Sequence, residues 1–234
     1  MRTLLAVMLL SVLLTGSIFQ TYEHSVEPDG DSVVVKEMDT GLFLGMLGDG
    51  AGEKIENACS LDPTLECSFS DGTLKMMEEF STSENYYSFE VGYGLPYIEY
   101  ELIVKKIPIE KFSERLDNIL LAAGLVNETA GSYGDAMNLL DSEENRESAS
   151  FMRESGLDIS YVAVMPGEIV EAYAGGASGT INGSRAEFLL SDVLYESQPV
   201  VVRSREINWG YIVLIAAIIV LAAFALSFRK IKKG

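Results

Sequence analysis

The sequence has 234 residues, of which 48% are hydrophobic and 22% are charged, and its net charge at pH 7 is −18. This composition is typical of a folded protein. The acidic balance argues against nucleic-acid binding, because a negative surface repels the phosphate backbone. All 35 acidic residues lie between Glu23 and Glu206, so both ends of the chain differ in character from its middle.

The first 17 residues have the pattern of a secretion signal. Arg2 supplies the positive start, Leu4 to Leu14 are apolar, and Gly16 and Ser17 are small enough for cleavage. The segment is either cleaved or kept as an N-terminal anchor. In both cases residues 18–206 are expected to form a domain outside the cytoplasm.

The C-terminal end predicts membrane insertion. Residues 207–228 carry no charge and, at about 1.5 Å per residue, are long enough for the roughly 30 Å hydrocarbon core. Residues 229–234 carry four cations, which mark the cytoplasmic side. We therefore expect a single transmembrane helix at 207–228, a basic cytoplasmic tail at 229–234 and location in the plasma membrane.

Two further features fit an exported domain. Cys59 and Cys67 bracket a short segment with an Asp-Pro turn, and outside the cytoplasm a disulfide is the expected state of such a pair. Asn127 and Asn182 begin sequons and are candidate glycosylation sites. His24 is the only histidine and is expected on the solvated surface.

Period-two alternation predicts several strands. The predicted strands are 32–38, 72–80, 86–93, 97–107, 158–165, 168–173, 178–190 and 198–206. Segments 72–80 and 86–93 are expected to pair with each other. Asn182-Gly183 is typical of a hairpin turn.

Three- and four-residue spacing predicts an amphipathic helix from Ile109 to Ala123, between Pro108 and Gly124. A second, weaker helix is expected over 132–154. Glycines in 48–54 predict a flexible loop there. Strands, then helices, then strands indicate an α+β fold, with one or two helices packed on an antiparallel sheet.

The sequence contains no signature of catalysis. Neither G-x-S-x-G nor H-E-x-x-H occurs, and the Gly-rich segment 48–54 lacks the Lys-Ser/Thr ending of a phosphate-binding loop. We therefore expect no enzymatic activity, no catalytic residues, no cofactor and no metal site.

The aromatic residues of 86–93 are the best candidates for ligand contacts. Alternation places Tyr87, Phe89 and Tyr93 on one face of their strand. They either pack in the core or line a groove for a hydrophobic ligand.

Two strand-like segments are separated by a short stretch that contains Met165, Pro166, Gly167 and Glu168. Pro166 lacks a backbone donor, and Gly167 accepts the positive φ of a bend. This stretch is expected to be a structural corner.

The C-terminal third resembles the LppM-like membrane proteins of prokaryotic envelopes. The resemblance rests on Met165-Pro166-Gly167-Glu168, the glycine-containing turns from Gly175 to Gly183, Ala186-Glu187-Phe188, and the apolar segment with its basic end. An early Asp29-Gly30 before a strand also matches. Many members begin with a lipoprotein cysteine, whereas this chain has Gly16-Ser17.

The resemblance implies an extracytoplasmic α+β domain on a membrane anchor, with a role in binding lipids or amphiphiles. From the residues and this resemblance together we expect a non-enzymatic envelope protein that binds a lipid or amphiphilic ligand. The alternative is a protein-interaction module of a membrane or envelope-layer complex, held by a protein partner. Nucleic acid is not an expected partner.

Overall fold

The computed structural model describes residues 20–41, 44, 47–81, 85–126, 159–196 and 198–231. The fold is α+β, as predicted, but it contains two sheets rather than one. The strands are β1 (Gln20–Val26), β2 (Ser32–Asp39), β3 (Cys67–Ser70), β4 (Thr73–Phe80), β5 (Tyr87–Tyr93), β6 (Tyr97–Val104), β7 (Ile159–Val164), β8 (Glu168–Ala174), β9 (Ala177–Ser178), β10 (Thr180–Asn182), β11 (Arg185–Leu189) and β12 (Val200–Ile207). The helices are α1 (Ala51–Leu61), α2 (Ile109–Ala122), α3 (Leu190–Glu196) and α4 (Trp209–Ile231), with a 3₁₀ turn at Pro63–Leu65.

The first sheet has seven strands in the order β10-β11-β7-β1-β2-β4-β3. Its β1 and β7 are parallel, with Tyr22 opposite Tyr161, whereas its other described pairs are antiparallel. The expectation of a purely antiparallel sheet was therefore wrong. A parallel pair needs a long crossover, and here that crossover contains the second sheet's first strands and α2.

The second sheet has five strands in the order β5-β6-β12-β8-β9, all antiparallel. The predicted pairing of 72–80 with 86–93 was wrong. β4 already has β2 on one side and β3 on the other, so both of its edges are occupied and β5 starts a new sheet with β6.

The core lies on the inner face of the first sheet. Strand β1 alternates, so Tyr22, His24 and Val26 point inward. The Tyr22 ring meets Phe112 of α2 edge-on at 5.7 Å, and the His24 ring meets Tyr87 of the second sheet at 5.2 Å. Helix α2 and the second sheet therefore cover the same face of the first sheet.

Helix α1 begins within the segment predicted to be a loop. Ala51, Ile55, Ala58 and Cys59 form one buried stripe, and that burial outweighs the low helix propensity of the glycines. A Cβ on Gly52 would lie 3.3 Å from the Phe69 ring, so glycine there permits α1 to lie close against β3. Helix α2 closely matches its predicted bounds, while the weaker helix predicted at 132–154 lies outside the described residues.

The prediction of a transmembrane helix at 207–228 is overturned. Ile207 belongs to β12, and within the described ranges no helix is both long and apolar enough to cross a membrane.

Candidate functional site

The predicted aromatic residues lie on one face of β5 but differ in their surroundings. The Tyr87 side chain is buried, and its hydroxyl donates to the carbonyls of Gly30 at 2.8 Å and Phe80 at 3.2 Å. Phe89 is half-buried and stacks on Tyr100 with 5.8 Å between ring centroids. Tyr93, at the end of the strand, is 80% exposed.

These three residues therefore do not line one groove. Tyr87 is a core residue that links the two sheets, Phe89 packs against the core, and Tyr93 contacts solvent. Tyr93 instead belongs to a second surface, at the end of the five-stranded sheet where α4 begins.

We call this surface the junction patch and define it as Tyr93, Leu95, Ile207 and Trp209. The four side chains are large and exposed, at 80%, 61%, 45% and 67% respectively. Tyr93 ends β5, Leu95 lies in the β5–β6 turn, Ile207 ends β12 and Trp209 begins α4. The cross-strand pairs Tyr93–Ile98 and Tyr97–Ile207 place these elements at one end of the sheet. Tyr97 and Ile98 are consecutive in β6, so Tyr93 and Ile207 lie on opposite faces of that end. The junction patch is therefore the end of the sheet with both of its faces, together with the start of α4.

Hydrogen bonds fix the start of α4 to this end of the sheet. The backbone N–H of Asn208 donates to the Pro96 carbonyl at 2.9 Å. The Asn208 side chain in turn accepts from the backbone N–H of Tyr211 at 3.2 Å, as an N-cap does. The β5–β6 turn and the first turn of α4 are therefore neighbours with a defined relation.

Helix α4 has no polar face along its described side chains. Ile212, Val213, Leu214 and Ile215 are 37%, 65%, 54% and 42% exposed. Successive residues of an α-helix point about 100° apart, so these four sample the whole circumference. The exposed apolar surface continues through Ile218, Ile219, Val220, Leu221 and Phe224.

The outer face of the five-stranded sheet is charged and open. Arg203 donates to Glu101 at 2.5 Å and to Glu171 at 2.7 Å, and these two hydrogen bonds raise the pKa of its guanidinium. A cleft of about 440 Å³ lies over this face and is also lined by Glu90 and Glu99. Neighbouring Arg205 lies 4.9 Å above the Tyr97 ring.

His24 is buried rather than solvated, which corrects the prediction from the sequence. Its side chain is 3% exposed, and Nδ1 lies 2.8 Å from the Tyr161 hydroxyl oxygen. Burial lowers the pKa of His24 to about 4 and raises the pKa of Tyr161. The imidazole is therefore neutral at physiological pH.

The Nε2 atom of His24 has no hydrogen-bond partner among the described residues. If the Tyr161 hydroxyl donates to Nδ1, this Nε2–H is the one polar group left unsatisfied. The other tautomer would leave both Nε2 and the Tyr161 proton unpaired, so the Nε2–H form is favoured. His24 was misjudged because β1 was not recognised as a strand; alternation of Tyr22, His24 and Val26 was the available signal.

The other predicted residues are placed as follows. Cys59 of α1 and Cys67 of β3 form a disulfide. Met165, Pro166 and Gly167 connect β7 to β8, and Glu168 is the exposed first residue of β8. Asn182 is exposed at the β10–β11 turn, while Asn127 lies outside the described residues.

The part of the chain that the structure describes contains no cluster of three His, Cys, Asp or Glu side chains placed to bind a metal. Comparisons with protein-family models, with curated proteins and with solved structures found no match. The resemblance to LppM-like proteins thus stays a prediction from the sequence.

Proposed function

We propose that the protein acts by binding lipid or another amphiphile outside the cytoplasm, and not by catalysing a reaction. The observation that carries this proposal is the apolar surface of α4, exposed on every side from Ile212 to Phe224. Burying one such side chain is worth about 1.5–3 kcal/mol relative to water. A helix of this kind therefore favours an apolar environment over water.

The distribution of this surface favours acyl chains over a protein groove. A helix that docks in a groove presents one apolar stripe and keeps a polar face for water. The described side chains of α4 have no such division, because consecutive residues are apolar and exposed. Acyl chains need no such division, because they can cover an apolar surface that has no polar face.

The disulfide supports the proposed compartment. Cys59 and Cys67 are bonded across the contact between α1 and β3. Such bonds persist in oxidising surroundings and are rare in the cytosol. The predicted signal segment at 1–17 points to the same compartment.

Vesicle flotation tests this proposal. The full chain is synthesised in the presence of phosphatidylcholine vesicles, and the mixture is then centrifuged through a density gradient. We expect the chain to float with the vesicles and Ile218→Asp to lower the floated fraction severalfold, because a carboxylate in α4 opposes contact with acyl chains. Leu61→Asp is the control, since Leu61 is 83% exposed at the end of α1 and should float like the wild type. A wild-type chain that stays in the dense fractions would overturn the proposal.

An interaction module for a protein partner is the second candidate, and it is favoured by the outer face of the five-stranded sheet. Its Glu101–Arg203–Glu171 ion pairs form an ordered charged surface. Crosslinking in cells followed by mass spectrometry should then recover one dominant protein, and Arg203→Glu should reduce its yield. Recovery of many unrelated neighbours, unchanged by Arg203→Glu, would count against this candidate.

A further inference from the structure

We infer that the junction patch is a second lipid-contacting surface, which rests in the headgroup layer of a zwitterionic bilayer and so fixes the orientation of the folded domain. This inference rests on the proposed function, since α4 must first bring the domain to lipid. It adds a part of the folded domain that lies outside α4, namely Tyr93 and Leu95 of the β5–β6 hairpin.

The β5–β6 turn of the patch lies beside the first turn of α4. Asn208 precedes α4, and its N–H is bonded to the Pro96 carbonyl in the β5–β6 turn. The turn is closed by a hydrogen bond from the Gly94 N–H to the Tyr97 carbonyl at 3.0 Å. Wherever the first turn of α4 meets lipid, the tip of this hairpin is beside it.

The patch combines aromatic side chains that carry a polar group with aliphatic side chains. Tyr93 and Trp209 combine an apolar ring with a polar hydroxyl or N–H, which is the combination found at membrane–water interfaces. Leu95 is 61% exposed and offers only apolar surface. This end of the sheet thus carries two amphipathic aromatic side chains and two aliphatic ones, a composition that matches the boundary between headgroups and acyl chains.

Arg205 gives this end of the sheet a cation. Its guanidinium lies 4.9 Å above the Tyr97 ring, and its cross-strand neighbours are Glu99 and Glu168. A guanidinium donates well to phosphate oxygens, which every phospholipid headgroup carries. Arg205 is therefore suited to meet the phosphate layer when the patch is in contact.

Net charge selects the kind of lipid. The chain carries 35 acidic side chains against 17 basic ones. An anionic membrane would repel such a domain, whereas a zwitterionic surface does not. We therefore assign the patch to zwitterionic phospholipid.

A fluorescent label at the hairpin tip provides the test. The two cysteines of the chain form the disulfide, so a Leu95→Cys variant offers one free thiol for the environment-sensitive dye NBD. Leu61→Cys is the matched control, because Leu61 is an exposed leucine on α1. Both labelled chains are reconstituted with phosphatidylcholine vesicles, and Trp209, the only tryptophan, reports contact of α4 with lipid.

We expect the NBD emission at position 95 to shift to shorter wavelength and rise severalfold with vesicles, while the emission at position 61 stays unchanged. Adding phosphatidylglycerol should weaken the response at position 95. If Trp209 responds to lipid but the dye behaves alike at positions 95 and 61, the patch inference fails and the proposed function stands. If Trp209 does not respond either, the proposed function fails. A stronger response with phosphatidylglycerol would overturn the assignment to zwitterionic lipid.

Discussion

Gly167 lies where the chain turns from β7 into β8, and it has a φ of 72°. A Cβ at this position would lie 2.4 Å from the Arg205 carbonyl oxygen of β12. The neighbouring Pro166 carbonyl accepts a hydrogen bond from the Ser204 hydroxyl at 2.6 Å. The corner therefore brings the β7–β8 connection against the backbone of β12, and only glycine fits so close.

We predict that Gly167→Ala lowers the free energy of unfolding by about 3 kcal/mol, the sum of positive-φ strain and displaced backbone. Gly183→Ala is the matched control. Gly183 also has a positive φ, of 62°, but its Cβ would have no neighbour within 4 Å. Gly183→Ala should therefore lower the free energy of unfolding by only about 1 kcal/mol. Urea unfolding of the full chain in detergent, followed by circular dichroism, measures both. Equal losses would show that the contact with Arg205 is unimportant.

His24 makes stability depend on pH. Its pKa is about 4 in the folded protein and 6.5 when exposed. Between these values the unfolded chain binds more protons than the folded chain, so the free energy of unfolding falls as pH falls from 6.5 towards 4. The loss from this one group amounts to about 3 kcal/mol.

We predict that His24→Gln removes about 3 kcal/mol of the pH dependence of unfolding between pH 6.5 and 4. Glutamine does not titrate, and its amide oxygen can still accept from Tyr161. Tyr161→Phe is the control, because it weakens the core yet leaves the buried imidazole to titrate. Urea unfolding at a series of pH values gives the free energy of unfolding of the wild type and of both variants. An unchanged pH dependence in His24→Gln would contradict the burial of His24.

At the scale of elements, α2 is the helix that the sequence predicts best. Phe112, Leu116, Ile119 and Leu120 recur at three- and four-residue steps, and all four are buried. Phe112 packs edge-on against Tyr22 of β1. Arg115 also contacts Glu78 of β4 and donates to the Leu65 carbonyl at 2.9 Å. This helix therefore closes one side of the core.

We predict that Phe112→Ala lowers the free energy of unfolding by about 3–5 kcal/mol, because it removes a fully buried ring. Leu121→Ala on the same helix is the control. Leu121 is 42% exposed, so its loss should be less than about 1 kcal/mol. Thermal or urea unfolding compares the two. Similar losses would mean that the buried face of α2 is wrongly assigned.

Periodicity predicts elements well and their partners poorly. Strands β2 and β6 and helix α2 follow from alternation or three- and four-residue spacing, because each has one buried face. The division into two sheets does not follow. It depends on which strand edges are already occupied, and β4 is paired on both sides by segments distant in sequence.

The candidate site was also predicted only in part, because it depends on which strands pair. Tyr93 was identified from alternation, and Leu95 follows it in the β5–β6 turn, but Ile207 and Trp209 come to the same end of the sheet only through the β6–β12 pairing. Helix α1 was missed because three glycines outweighed its buried stripe of Ala51, Ile55, Ala58 and Cys59. Both the grouping of residues at this end of the sheet and the formation of α1 depend on tertiary contacts, which the local sequence does not show.

At the scale of the whole molecule, charged surface and exposed apolar surface lie in different parts of the chain. The acidic side chains that the structure describes lie on a folded domain with a well-packed interior, while the largest described run of exposed apolar residues lies on α4. The junction patch lies where the two meet. In the proposed function, α4 contacts lipid while the acidic domain stays in water.

Quenching of Trp209 fluorescence by brominated phosphatidylcholine tests this account most directly. Trp209 is the only tryptophan and begins α4, so its emission reports the junction itself. In vesicles we predict blue-shifted emission that is quenched by bromine on the acyl chains and protected from aqueous iodide. Emission typical of an indole in water, quenched by iodide and unaffected by brominated lipid, would contradict the account.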